Sequence, residues 1–169
     1  TWQPAAAGAT TSPLVITGVI NGVTHNVAIR AVSAAGKGAP STAVPATAKG
    51  AVFTPISPVR LYDSRLPGAG GALPSGLGRE LDTASAGVPP GTVAVAYNLT
   101  ITDTQGSGYL EVAPGGSGAA SGTSTINWSA PGQTLANGFN VGINAAQRFA
   151  VVAGGGGSTH FIIDIVGVY

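Results

Sequence analysis

The chain has 169 residues, enough for one ordinary domain or two small ones. A formal charge of +1 with only 8% charged residues gives no basic footprint for nucleic acid, no acidic tail and no polybasic patch for a membrane surface. Cysteine is absent, which excludes disulfide staples and thiolate metal sites. Gly 27 and Pro 12 lean toward low complexity, but a 44% hydrophobic fraction with many Val and Ile runs can build a core.

Residues 1–49 carry two strand patterns. Leu14-Val15-Ile16 runs into the turn dipeptide Asn21-Gly22. His25–Val32 then alternates, with His25, Val27, Ile29 and Ala31 on one face and Asn26, Ala28 and Arg30 on the other. Gly36, Gly38 and Pro40 mark a further turn, and Ser41–Ala48 reads as an edge strand. The stretch Ile16–Ser41 resembles the last three strands of a fibronectin type III module. The resemblance implies a partial β-sandwich, with His25 where that family carries its corner tyrosine. An incomplete sandwich exposes an apolar face and an unpaired edge. Either the module is cut short or a neighbouring copy supplies the missing strands.

Residues 50–57 read as a linker stiffened by Pro55, and residues 58–169 as a second all-β domain. Its first strand, Pro58–Arg65, gathers Arg60, Asp63 and Arg65 among apolar neighbours. Charges beside a core require partners. Asp164 sits between Ile162-Ile163 and Ile165-Val166, so it is expected to be buried with Arg60 or Arg65 as its partner, in an ion-pair set of Arg60, Asp63, Arg65 and Asp164 that ties the first strand to the last. Gly68–Gly78 reads as a surface loop, Arg79–Leu81 as a short strand and Val88–Gly91 as a turn. From Val93 to Thr102 the alternation is strict, a strand expected to be buried on both faces. Three successive hairpins follow: this strand with Tyr109–Ala113, Ser124–Trp128 with Thr134–Ile143, and Arg148–Val152 with His160–Val168. A sandwich or a β-prism both fit, and no segment longer than a turn has helical periodicity. The run Phe161–Val168 contains Asp164 and is too short to span a bilayer. No basic-then-apolar leader opens the chain, and any export signal is expected to lie upstream or to have been removed.

The motifs Pro58–Arg65, Gly87-Val-Pro, Ala96–Thr102, Thr125–Trp128, Pro131–Asn137 and His160–Tyr169 resemble a domain found near the C-termini of secreted and surface proteins, mostly of actinobacteria. That resemblance implies an extracellular accessory module with no assigned catalytic residues.

Candidate chemistry is sparse. His160 and Asp164 share a strand face about 13 Å apart, too far for a base and its orienting acid. Glu80, Asp82, Asp103 and Glu111 are the remaining acids, and their spacing reads as rims or ion pairs rather than a glycosidase pair. Asp103–Ser107 has one acid where a calcium loop needs several. Gly154–Gly157 reads as a flexible hairpin tip, and the sequons at Asn98 and Asn127 as chance. Tyr97, Tyr109, Asn127 and Trp128 are the candidate contacts for a glycan. No catalytic residue, cofactor or metal is expected. The expected function is a non-catalytic structural or assembly module at the cell surface that associates with its own copies or with neighbouring domains. A cell-wall or polysaccharide-binding accessory domain is the alternative.

Overall fold

The computed structural model describes residues 16, 19–20, 22–116 and 122–169. The expected strand through Leu14 and Val15, and Asn21 of the first turn, lie outside the described residues. The chain divides into two compact units between Ala51 and Val52. In both, the described regular structure is β-strand apart from one turn of 3-10 helix. Among the described residues no helix is long and apolar enough to cross a membrane.

The first unit is a pair of short ribbons. Strand β1 (Thr24–Val27) pairs antiparallel with β4 (Val44–Thr47), and β2 (Val32–Ser33) with β3 (Gly36–Lys37). The alternating run from His25 therefore breaks after Val27. The Ile29 carbonyl accepts from the Ser41 N–H, and the Ala31 carbonyl from the Gly38 N–H, so the pairing continues irregularly through the break. Ile20, Ile29, Val32 and Val44 are each more than 60% exposed. The Nε2 atom of His25 is buried without a hydrogen-bond partner.

The second unit is an all-β sandwich. Its strands are β5 (Thr54–Asp63), β6 (Leu73–Pro74), β7 (Gly78–Asp82), β8 (Ala94–Gln105), β9 (Gly108–Pro114), β10 (Ile126–Trp128), β11 (Leu135–Gly142), β12 (Arg148–Gly154) and β13 (Ser158–Val168). Strand β5 already begins at Thr54, and Pro55 stands opposite Gly167 of β13. Thr54–Ser57 is thus strand, not linker.

One sheet runs β11-β8-β13-β5 with β6 added beside β13, and the other runs β10-β9-β12-β7. The three strand–turn–strand segments are present, but their members do not pair with each other. Strands β8 and β9 lie in different sheets, as do β10 and β11, and β12 and β13. The ladders instead join β8 to β13 and β11, and β9 to β12 and β10. This is the connectivity of an eight-stranded jelly roll, a long hairpin folded over on itself.

The period-two pattern explains the core. Val95, Tyr97, Leu99 and Ile101 of β8 are buried together with Phe161, Ile163 and Ile165 of β13 and with Leu110, Phe149 and Val151 from the opposite sheet. Each such side chain contributes about 1.5–3 kcal/mol on leaving water. Strand β8 is not sealed on both faces: Asn98, Thr100 and Thr102 are half-buried on the outer side. Asp103 adopts a left-handed φ of 51° near the strand end, and Thr104 returns to the buried side.

The glycine run at the β12–β13 turn is packed rather than loose. A Cβ on Gly157 would collide with the carbonyl oxygens of Gln105 and Ser107. The backbone of the β8–β9 turn comes so close that only glycine fits there.

Candidate functional site

Arg60, Asp63, Arg65 and Asp164 form one connected network, as the sequence predicts. Strand register sets Arg60 opposite Asp164 across the β5–β13 ladder, beside a β-bulge. The Arg60 guanidinium forks onto Asp164, with Nε donating to Oδ1 at 2.5 Å and Nη2 to Oδ2 at 3.3 Å. Its Nη1 donates to Asp63 Oδ2 at 3.2 Å. Arg65 makes a second fork onto Asp63 at 2.9 and 2.7 Å, and its own N–H donates to Asp63 Oδ1.

Burial is unequal across the network. The Asp63 side chain is 5% exposed, whereas the side chains of Asp164, Arg65 and Arg60 are 24%, 46% and 50% exposed. The expected buried pair of Asp164 is therefore half-exposed, because Asp164 faces outward from the sheet while its isoleucine neighbours alternate inward. The side-chain hydrogen bonds from Arg65 are the main reason that the Asp63 carboxyl is lowered to about 2, against the opposing cost of burial. Arg60 is raised, first by its hydrogen bond to Asp164. A carboxylate held ionised, forked by one guanidinium and bonded by a second, fixes a strand end; it is poorly set to carry protons near neutrality.

The same corner holds a contact that the sequence did not predict. Ser64 Oγ lies 3.0 Å from His160 Nδ1 and accepts the Phe161 N–H at 2.9 Å. A serine beside an imidazole makes up two of the three groups of a nucleophilic triad. Here Ser64 is 1% exposed and its hydroxyl accepts a backbone N–H of the adjoining strand, so the pair works as a cross-link between the end of β5 and the start of β13.

The other acids take separate structural posts. Glu80 accepts the Gly116 N–H at 2.8 Å. Asp82 caps the 3-10 helix Thr83–Ala86 by accepting from the Ala84 N–H, and lies 3.6 Å from Arg148. Glu111 is almost fully buried on β9. Strands β7 and β9 flank β12, so about 9.5 Å of sheet separates the backbones of Glu80 and Glu111. Among the described residues no cluster of three His, Cys, Asp or Glu side chains gathers where a metal ion could sit.

The aromatic residues expected to meet a glycan divide. Tyr97 is 2% exposed, stacks on Phe149 at 5.8 Å, and has its hydroxyl pKa raised by burial. Trp128 is 4% exposed and donates its indole N–H to the Gln105 carbonyl. Both belong to the core, because each falls in the inward phase of its strand, so neither offers a ring face to a sugar. Tyr109 is half-buried against Gly154. Asn127 alone is exposed, and it donates to Ser124 Oγ.

Two anchors escaped the sequence reading. Arg79 lies over the rings of Tyr62 and Phe161 at 5.6 and 5.7 Å and donates to the carbonyls of Gly70 and Gly71. It pins the loop after β5 onto the core, helped by the Tyr62 hydroxyl, which donates to the Ala69 carbonyl. Gln147, left-handed at φ 57°, donates to the carbonyls of Val88 and Pro89 and accepts from Thr83.

No family model, curated protein or solved structure matches this chain.

Proposed function

We propose that the chain is a non-catalytic structural module of an extracellular surface assembly, joined to its own copies through open strand borders. One contrast carries this reading. The charged side chains of the β5–β13 corner and the Ser64–His160 pair are committed to partners within the fold, whereas outward apolar side chains and described strand edges leave interactions unmade. In the first unit a two-stranded pairing of four residues, with Ile29, Val32 and Val44 facing solvent, is marginal in water by itself. Low charge and rigid, glycine-packed turns suit a module exposed to proteases outside the cell. The likeness of the Pro58–Arg65 and His160–Tyr169 motifs to domains of secreted actinobacterial proteins supports the same location. Light scattering on a size-exclusion column over a wide concentration range tests the reading. Mass rising with concentration is expected, and a strict monomer throughout overturns it.

A second reading, binding of a cell-wall or other neutral polysaccharide, is favoured by one feature. An open depression of about 350 Å³ lies where the β8–β9 and β12–β13 turns meet β6, lined by Pro74, Ser75, Gln105 and Ser158 with glycines between them. Its lining is uncharged and rich in hydroxyl, amide and backbone groups, which suits sugar hydroxyls. Shifts of the Gln105 and Ser158 amide resonances on adding a soluble neutral glycan are expected on this reading, and unmoved resonances would remove it.

A further inference from the structure

A sheet edge offers unpaired N–H and C=O groups to any passing strand, and soluble proteins blunt such edges with charge, proline, bulges or shortness. Among the described residues the two sheet paths end in four strands, β5 and β11 in one and β7 and β10 in the other, with the two-residue β6 beside β13 on the β5 side. Three carry these devices. Strand β5 contains Pro55, Pro58 and Arg60 and pairs with β13 through two register shifts. Strand β7 has five residues, three of them Arg79, Glu80 and Asp82. Strand β10 has only three residues.

Strand β11 carries none of them. Leu135–Gly142 contains no proline and no charge, and it pairs with β8 at all eight positions without a register shift. Leu135 and Phe139 stand opposite Ile101 and Tyr97 on the core side, yet they are 37% and 40% exposed, and among the described residues no strand lies beyond them. A further strand laid along β11 would cover both.

We propose that β11 pairs antiparallel with β11 of a second copy, joining the two sheets across a two-fold axis. The proposal rests on the assembly reading above and names its border. Charge selects the partner. From Val112 to Gln147 the chain has no Asp, Glu, Lys or Arg, so two copies meeting here place no like charges across the axis. A strongly acidic or basic partner finds no complement on the same border. A two-fold contact of a surface with itself also closes after two copies, so the edge is consumed rather than propagated into a fibre. A register centred on the strand sets Gly138 beside its own copy and Ala136 opposite Asn140.

The test is sedimentation velocity on the whole chain as wild type, as the double variant Ala136→Lys/Asn140→Lys, and as Ser57→Lys on β5 for comparison. All three positions are exposed. The double variant sets two like-charge pairs directly opposite one another, and its dimer dissociation constant is expected to rise about tenfold or more while its melting temperature holds. Ser57→Lys is expected to leave the constant unchanged. Association that the double variant does not weaken overturns the β11 contact and leaves the assembly reading to other surfaces. A monomer in every case overturns both. Should the lysines unfold the domain, Gly138→Cys decides. A Cβ there meets only the Tyr97 carbonyl oxygen, at an ordinary 3.8 Å, and the protein has no other thiol. A disulfide-linked dimer under mild oxidation supports the pairing, and failure to cross-link overturns it.

Discussion

The two borders of the five-stranded sheet are built on opposite principles. At β5 the chain gathers Arg60, Asp63 and Arg65, joins them to Asp164 of β13, and adds the Ser64–His160 and Arg79–Tyr62 contacts. At β11 it places Leu135, Phe139, asparagines and glycine, with no charge on the strand or on the segments leading to it. The first border is fixed by directional contacts that a second chain would have to displace. At the second, no described strand pairs with the outward side of β11. The lesson is that charge placement in a charge-poor sandwich can determine which edge remains available, while the alternation of apolar residues determines the fold.

The core beneath each border gives the largest expected difference. Phe161→Ala removes a buried ring stacked on Tyr62 at 4.9 Å and lying under Arg79, so a loss of about 3–5 kcal/mol in urea unfolding is expected. Phe139→Ala on the open border removes a ring that is 40% exposed, and a loss below about 1 kcal/mol is expected in the monomer. Equal losses would mean that β11 is as closed as β5.

Next in size is the turn that brings the two sheets together at one end. Gly157→Ala forces a methyl group against two backbone carbonyl oxygens that cannot swing aside, and a loss of about 1–3 kcal/mol is expected by the same measurement. A neutral effect would restore the view of this segment as a loose tip.

Asp63→Asn sharpens the charged border itself. It removes the charge-assisted fork from Arg65 and the single bond from Arg60, with an expected loss of about 1–3 kcal/mol at pH 7. The Asp63 carboxyl is lowered in the folded state, to about 2, below its unfolded value near 4. Its stabilisation is therefore complete above about pH 4 and fades as the pH falls toward 2. The wild type should show that acid slope in its unfolding free energy and the variant should show a shallower one. The smallest effect belongs to Asp164→Asn. Its Arg60 partner is half-exposed, so about 1 kcal/mol or less is expected, shrinking further in high salt.

Much of this could be read from the residues alone. Strict alternation located β8, the apolar run Phe161–Val168 located β13, turn dipeptides and glycines bounded most strands, and the isolation of Asp164 among isoleucines pointed to Arg60 or Arg65, of which the structure pairs it with Arg60. Periodicity gives which way a side chain points within a strand, but not which strand lies beside it. Strands joined by a short turn were read as hairpins, whereas the turns after β8, β10 and β12 cross between sheets. Ser64 and His160 are brought together only by the β5–β13 ladder, so no local pattern announces them. Tyr97 is a different case: it is expected among the glycan contacts although it shares the phase of Val95 and Leu99, and the structure buries all three.

The central claim is that β5 is closed and β11 is open to a second copy. Hydrogen exchange of the backbone amides at low and high protein concentration tests it most directly. The outward N–H groups of Leu135–Gly142 should gain protection as concentration rises, while those of Thr54–Asp63 stay unchanged. Protection appearing along β5 with β11 unaffected would contradict it.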